Sequence, residues 1–264
     1  MTNGVASLIL AAGVGSRMGR STHKCLTQIN GKEFIKLQME KLMNAYNIGK
    51  FFIVVGHKST EIEEALGDEF MGAPIQYVFN AHYKDYGSGQ SLMLGLRALS
   101  ESTFRSCDLV VTEADCLVPQ EAYESLKCES GSRCLVGPKV DIHKSVLVTV
   151  HADDPEEEEV SSFCYDRTHR NVFSQLKPDH RPVGESIQTW YFNNDVLGKY
   201  LGKARNMVDI PFFCREASNL SVMNHLLMED YDILKMKVVW YEGTFINLNT
   251  PADIQLASEQ SWCS

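Results

Sequence analysis

The chain turns on Leu8-Ile9-Leu10-Ala11-Ala12-Gly13-Val14-Gly15-Ser16-Arg17-Met18-Gly19, followed shortly by Lys24. An apolar run stops abruptly in a glycine-rich turn that carries two cations. Glycine lets a backbone turn with φ > 0 and approach a ligand closely, because no Cβ stands in the way. Successive N–H groups in such a turn form an anion-binding concavity, and Arg17 and Lys24 add full positive charges to it. The stretch predicts a strand buried on both faces that delivers a phosphate cradle at its carboxyl end.

The following hundred residues extend this pattern. Residues 50–56 and 75–79 predict further strands, the first also ending in glycine, and residues 109–112 a fourth that runs into Glu113-Ala114-Asp115. Between them, residues 33–46 space their apolar side chains as an amphipathic helix. Ser59 or Thr60 is placed to cap a helix over 61–66, and a second glycine turn at 87–89 precedes a helix over 91–99. Strands alternating with helices at this spacing indicate βαβ units and a mostly parallel sheet. Ligands gather at the carboxyl ends of such strands, which here are 13–24, Gly56-His57 and 113–115.

After Leu135 the pattern changes. Residues 145–150 and the aromatic run 188–192 predict strands, and 218–228 a helix. Residues 237–241 and 245–249 are expected to finish the sheet, and Thr250-Pro251-Ala252-Asp253 is a strong helix start. The acidic run Asp153-Asp154-Pro155-Glu156-Glu157-Glu158-Glu159 reads as a solvated loop tip. With no internal repeat and no low-complexity linker, one domain over 1–264 is the simpler organisation.

Composition narrows the function classes. Hydrophobic content of 44% and charged content of 22% suit a soluble globular protein. A net charge of −9 argues against broad nucleic-acid binding, which leaves a basic footprint. No apolar run approaches the roughly 20 residues that span a bilayer, and the N-terminus lacks the layout of a signal peptide. The eight cysteines form no C-x-x-C pair and read as free thiols, so a cytoplasmic location is expected.

Three phosphate motifs compete for residues 8–24. A dinucleotide fingerprint needs G-x-G-x-x-G and an acid at the end of the second strand, but Met18 holds the third glycine position and that strand ends Val55-Gly56-His57-Lys58. This disfavours a NAD-dependent oxidoreductase. A Walker A string is absent. The remaining pattern, L-A-A-G-x-G-x-R-M-G with a lysine following, is similar to the signature of the nucleotidyltransferases that activate sugar phosphates and alcohol phosphates. Tyr86-Gly87-Ser88-Gly89-Gln90-Ser91-Leu92 resembles that superfamily's base-contacting segment, particularly in the small phosphocholine, inositol-phosphate and phosphonate cytidylyltransferases. Glu113-Ala114-Asp115 occupies the place of its Gly-Asp or Ala-Asp pair, and 245–253 is similar to its closing motif.

The resemblance implies an α/β fold: a single Rossmann-like, GT-A-like nucleotidyltransferase domain with a central mixed, mostly parallel sheet flanked by helices. Residues 1–120 would form its nucleotide-binding part, 135–235 its acceptor-binding part and 237–260 its closing strand and helix. It implies transfer of a nucleoside monophosphate, CMP from CTP foremost, to a small phosphorylated or phosphonylated alcohol. Leu10, Ala11, Ala12, Gly13, Gly15, Ser16, Arg17, Lys24, Gly89 and Ser91 would hold the nucleotide, with Lys24 and Arg17 as the catalytic cations. Asp115 and Asn249 would hold Mg²⁺, and Glu185 would meet an acceptor hydroxyl or amine. Asp115 could instead cap a turn, Glu113 could support the metal site or be an exposed turn residue, and Asn249 could merely precede the Thr250 cap. His57 reads as a surface residue, and Trp190 and Tyr191 as core rather than pocket lining.

One departure bears on nucleotide choice. Cytidylyltransferases usually carry aspartates where this chain has Asn247 and Asn249, whereas some guanylyl- and uridylyltransferases use asparagine there. An amide oxygen can ligate Mg²⁺ but brings no charge. GTP- or UTP-dependent transfer to a sugar or cofactor phosphate therefore stays open, as does a nucleotide-binding regulatory module without catalysis. A homodimer is compatible with the sequence.

Overall fold

The computed structural model describes residues 4–15, 23–138, 140–143, 145–154, 156, 158–166, 170–207, 209–210, 218–228 and 235–263. In chain order the strands are β1 (Val5–Ala11), β2 (Gln28–Ile29), β3 (Lys32–Glu33), β4 (Ile48–Val55), β5 (Glu69–Phe70), β6 (Ala73–Phe79), β7 (Leu109–Glu113), β8 (Cys116–Leu117), β9 (Ser132–Gly137), β10 (Leu147–His151), β11 (Val160–Cys164), β12 (His180–Phe192), β13 (Met236–Trp240) and β14 (Ile246–Asn247). The helices are α1 (Phe34–Ala45), α2 (Ser59–Leu66), α3 (Ser88–Ser100), α4 (Gln120–Leu126), α5 (Asn194–Met207), α6 (Asn219–Met228) and α7 (Pro251–Ser258).

The main sheet runs β11-β10-β12-β7-β1-β4-β6-β5, with β9 and β13 attached through β12. Strands β7, β1, β4 and β6 are mutually parallel, so β1, β4 and β7 end at one edge of the sheet. From β12 onward the pairing is antiparallel, except that β13 lies parallel to β9. The result is the mixed sheet flanked by helices that the sequence predicts.

Alternating side chains on these strands feed two cores. Leu8, Phe52, Val54, Val111 and Trp190 pack on one face with α3, α5 and α6. Ile9, Phe51, Ile53, Val55, Val110 and Tyr191 pack on the other with α1 and α4. Trp190 and Tyr191 are fully buried on opposite faces, so both are core. Close approach of α3 to the sheet needs Gly95, since a Cβ there would lie 2.5 Å from Leu8 Cδ1.

Several local expectations shift. Helix α2 begins at Ser59, and its N-cap is Lys58 in the left-handed conformation (φ 52°) rather than Ser59 or Thr60. Gly87 is the cap of α3, so Gly89 lies inside the helix instead of in a turn. The closing segment does not extend the main sheet: β14 pairs with β8 as a separate two-stranded ribbon. Strand β12 is 13 residues long, starting well before the aromatic run. Glu158 and Glu159, at the end of the acidic run, pair with Lys237 and Lys235, so the run is anchored there. Pro155 and Glu157 lie outside the described residues.

Among the described residues, no helix is long and apolar enough to cross a membrane. Seven cysteines are free and buried, and Cys214 lies outside the described residues.

Candidate active site

Strand β1 delivers the backbone at 11–15 to the sheet edge. Gly15 needs its glycine, with φ +62° and an added Cβ only 3.2 Å from Lys24 Cβ. Gly13 has φ outside the positive range and open space where a Cβ would stand. His23, which the sequence did not single out, ties this loop down. Its buried ring accepts from the Cys25 N–H through Nδ1 (3.3 Å), which leaves Nε2 to donate to the Gly13 carbonyl (2.9 Å). Burial, before any neighbouring charge, lowers its pKa and favours this neutral ring. His57 is half-buried, its ring 6.1 Å from that of His23. Ser16 and Arg17 lie outside the described residues.

Lys24 stands on a single turn of 3₁₀-helix, Lys24–Leu26, and reaches across the edge to Asp115. The two side chains form an ion pair in which both are largely buried. Asn249 Oδ1 lies 3.5 Å from the Lys24 ammonium, and Asn249 Nδ2 donates to Asn247 Oδ1 at 2.6 Å.

Both polar partners of Lys24 are placed by backbone geometry. The Ala114 N–H donates to the Leu10 carbonyl (3.0 Å), extending β7 alongside β1 to the turn that holds Asp115. The Leu248 N–H donates to the Asp115 carbonyl (2.7 Å), which docks the β14 segment on that turn. Asp253 then fixes the start of α7, accepting through Oδ2 from the N–H groups of Asn249 (2.8 Å) and Thr250 (2.6 Å). Asn249 is thus both the neighbour of the Thr250 cap and a member of the Lys24 cluster. Gln38, buried on α1, supports the same turn by donating to the Glu113 carbonyl at 2.8 Å.

Glu113, the last residue of β7, lies beside Asp115 and is held by side-chain amides. Asn219 Nδ2 donates to it, and Gln188, its amide nitrogen turned inward, donates to both carboxylate oxygens at 2.7 and 2.9 Å. Gln188 has φ 51° at an irregularity in β12, where the strand changes partner from β10 to β7. Bulges of this kind re-aim a side chain. Burial, reinforced by the Asp115 charge, pushes the Glu113 carboxyl well above the usual carboxylate range.

Two cavities meet on this cluster. The smaller, about 120 Å³, is lined by Leu10, Ala11, Ala12, Gly13, Lys24 and Ser91, among others. Ser88 and Ser91 supply the α3 side of this lining, whereas Gly89 is buried within the helix. Asn80 donates to Ser91 Oγ at 3.0 Å and fixes that hydroxyl. The larger cavity, about 580 Å³, holds the carboxylates of Asp141, Glu185 and Asp253 together with Asn247 and Asn249. Ser88, Glu113 and Asp115 line both cavities. Burial is the main reason that the Glu185 carboxyl is pushed up to about 7, Asp141 adding to it and a hydrogen bond with Ser145 opposing it.

Asp115, Asn247 and Asn249 line the larger cavity with side-chain oxygens, the donor type that a hard cation such as Mg²⁺ prefers, although Asn247 Oδ1 is taken by the Asn249 amide. In this structure Asp115 Oδ2 and Asn249 Oδ1 converge on the Lys24 ammonium. The residues therefore fit the metal that the sequence motifs imply.

Comparison with known proteins agrees with this geometry at the level of fold. A family model described as "Domain of unknown function (DUF6564)" matches residues 20–261. The bifunctional protein GlmU of Streptococcus mutans is 29% identical over 178 residues, covering 67% of this chain and 32% of that protein. The CMP-5'-(3-aminopropyl)phosphonate synthase of Streptomyces rubellomurinus is 28% identical over 156 residues, covering 56% of this chain and 25% of that protein. The chain thus spans about a third or less of these relatives' length. Among solved structures, the inositol-1-phosphate CTP transferase from T. maritima superposes with a TM-score of 0.67 at 19% identity, over 94% of this chain and 90% of that one. The chain resembles the nucleotidyltransferase superfamily, in agreement with its motifs, and shares its α/β fold.

Proposed function

We propose that this chain, which belongs to the family described as Domain of unknown function (DUF6564), transfers CMP from CTP to a small phosphorylated or phosphonylated alcohol and releases pyrophosphate. The observation that carries the reading is the meeting of two cavities of unequal size on the Lys24–Asp115 ion pair. A nucleotide in the smaller cavity and an acceptor in the larger would bring their phosphates together at that pair. That the Streptomyces relative is a CMP-phosphonate synthase and the T. maritima structure a CTP transferase favours cytosine as the base. In this reading residues 1–264 act as one unit.

An acceptor phosphate or phosphonate oxygen attacks the α-phosphorus of the triphosphate. A P–O bond forms there as the bond to the β-phosphate oxygen breaks, and pyrophosphate departs with that electron pair. The attacking oxygen is already ionised near neutral pH, so no general base is required. The chain's task is to align two polyanions and offset the charge that develops between them. Lys24 bridges the α-phosphate and the incoming oxygen, a place suited to a flexible point charge. Arg17 meets the β- and γ-phosphates, and the backbone at Gly13 and Gly15 cradles the chain of phosphates. Leu10, Ala11, Ala12 and Ser91 border the base, with Gly89 behind them in α3. Mg²⁺, bound by Asp115 and Asn249 with Asn247 beside them, would supply Lewis-acid charge at the α-phosphate.

The acceptor end of the larger cavity is rich in carboxylates, Glu185 and Asp141 among them. Such a lining favours an acceptor that carries an amine or quaternary ammonium at the end remote from its phosphate.

Pyrophosphate release from each of the four nucleoside triphosphates, against phosphorylated alcohols, amino alcohols, sugars and phosphonates, tests the proposal with and without Mg²⁺. Turnover with CTP and a cationic acceptor is expected. Turnover confined to GTP or UTP would replace the nucleotide assignment, and tight nucleotide binding with no turnover in any pair would make the chain a regulatory module.

A further inference from the structure

The β10–β12 ladder begins at the Leu147–Glu185 pair and ends at the His151–His180 pair. At that far end, one ligand atom each from His151, Asp179 and His180 lies within 4.8 Å of the other two. His180 is buried, with 7% exposure. Its Nδ1 lies 3.2 Å from each of three hydroxyl oxygens, those of Thr149, Ser161 and Ser162.

Thr149 Oγ1 donates to the Ser162 carbonyl (3.1 Å), and Ser161 Oγ donates to the Thr149 carbonyl (3.0 Å). Thr149 Oγ1 also lies 2.7 Å from Ser162 Oγ and 3.1 Å from Ser161 Oγ, so the hydroxyls are bonded to one another around the ring. The three hydroxyls thus occupy Nδ1 and leave Nε2 as the ring nitrogen that faces other side chains. Nε2 faces the Asp179 carboxylate at 3.8 Å, beyond hydrogen-bond distance, with the His151 ring edge-on at 4.9 Å between centroids. Metal-binding histidines have this layout, one ring nitrogen tied by hydrogen bonds and the other presented to further ligands.

We propose that His151, Asp179 and His180 bind a divalent transition metal of the zinc class, at a site separate from the Asp115 cluster. Two imidazoles and one carboxylate suit zinc, whereas magnesium prefers oxygen ligands alone. Ligand bonds of about 2.0–2.2 Å in a tetrahedral site require donor atoms roughly 3.4 Å apart, so the side chains need to close by about 1 Å. That closure falls to exposed Asp179 and half-buried His151, since His180 is fixed by its hydroxyl cradle. Three protein ligands leave a fourth position for water. The ion would clamp the ends of β10 and β12, stiffening the ladder whose other end presents Glu185.

The test uses the untagged full-length chain, stripped with chelator, and reads metal binding rather than turnover. Titration calorimetry should give one Zn²⁺ per chain at micromolar affinity or tighter, with no comparable Mg²⁺ binding. Zn²⁺ should raise the unfolding temperature. His151→Ala and Asp179→Ala should each weaken Zn²⁺ binding at least tenfold while the metal-free proteins unfold as the wild type does. Co²⁺ in place of Zn²⁺ should show visible bands of a tetrahedral site without the intense near-ultraviolet band of thiolate ligation. Absence of Zn²⁺ binding, or affinity unchanged in the double variant, would overturn the proposal. So would a thiolate band, which would move the ion to the cysteines.

Discussion

The Lys24 ammonium rests on the Asp115 carboxylate across 91 residues of chain, and Asn249 Oδ1 completes the contact from a third segment at 3.5 Å. An early loop, the end of β7 and the start of α7 are thereby brought to one point between two cavities. In the free protein the lysine neutralises the carboxylate. In the proposed reaction the two separate, Asp115 to a metal ion and Lys24 to phosphate oxygens.

Replacing Lys24 by alanine should reduce turnover at least ~10²-fold, the scale of losing one well-placed donor to developing charge. The far-ultraviolet circular dichroism should stay near that of the wild type, because the side chain belongs to no core, while loss of the Asp115 partner lowers the unfolding temperature. Pyrophosphate release close to the wild-type rate would contradict the mechanism.

Asp115→Asn removes the one formal charge among Asp115, Asn247 and Asn249 and leaves the lysine without its ion pair. Activity should fall, and the Mg²⁺ concentration for half-maximal rate should rise. A Mg²⁺ titration of the variant, with Asn249→Ala beside it, reads both effects. An unchanged Mg²⁺ requirement in both variants would place the metal elsewhere.

Glu185→Gln keeps size and hydrogen bonding in the larger cavity but removes a charge. For an acceptor with an amine, KM should rise about tenfold while KM for CTP stays unchanged, the signature of lost acceptor binding. An acceptor lacking the amine should show no such rise.

Glu113 gives a stability dependence on pH. Burial and Asp115 raise its folded-state pKa above the ordinary 4.5, so the native protein keeps a proton that the unfolded chain has released. This contribution is fully present below pH 4.5 and is lost as pH rises towards the folded-state value. Denaturant midpoints measured from pH 4 upward should therefore decline more steeply in the wild type than in Glu113→Gln. Parallel curves would show that the carboxyl is ionised in the native state.

Gly184 tests the sheet. A Cβ there would collide with the Gly137 carbonyl on the neighbouring strand. Gly184→Ala should cost about 1–3 kcal/mol, as expected for overpacking. A lowered unfolding temperature with an intact secondary-structure spectrum is the expected result.

Much of this was legible in the sequence, and where it failed is instructive. The β1 turn, the parallel strands ending at 55 and 113, the Asp115 position and the Thr250–Asp253 helix start all rest on local patterns of apolar period, glycine and capping residues. Such patterns act over a few residues, so they can be read without knowing what lies across the sheet. The resemblance of the motifs to nucleotidyltransferases was likewise carried by short strings.

What tertiary structure alone decided is of another kind. Strand β12 runs from His180 because β9, β10 and β7 pair with its two edges, which no window of its own sequence reveals. The β14 segment leaves the main sheet because the Asp115 carbonyl holds Leu248 and β8 offers a partner. Gln38, Gln188 and Asn219 gained their places from contacts with groups far along the chain. The sequence by itself determined which residues could handle phosphate. Folding decided that Lys24, Asp115 and Asn249 share one point, because contacts between distant segments depend on packing that local sequence does not encode.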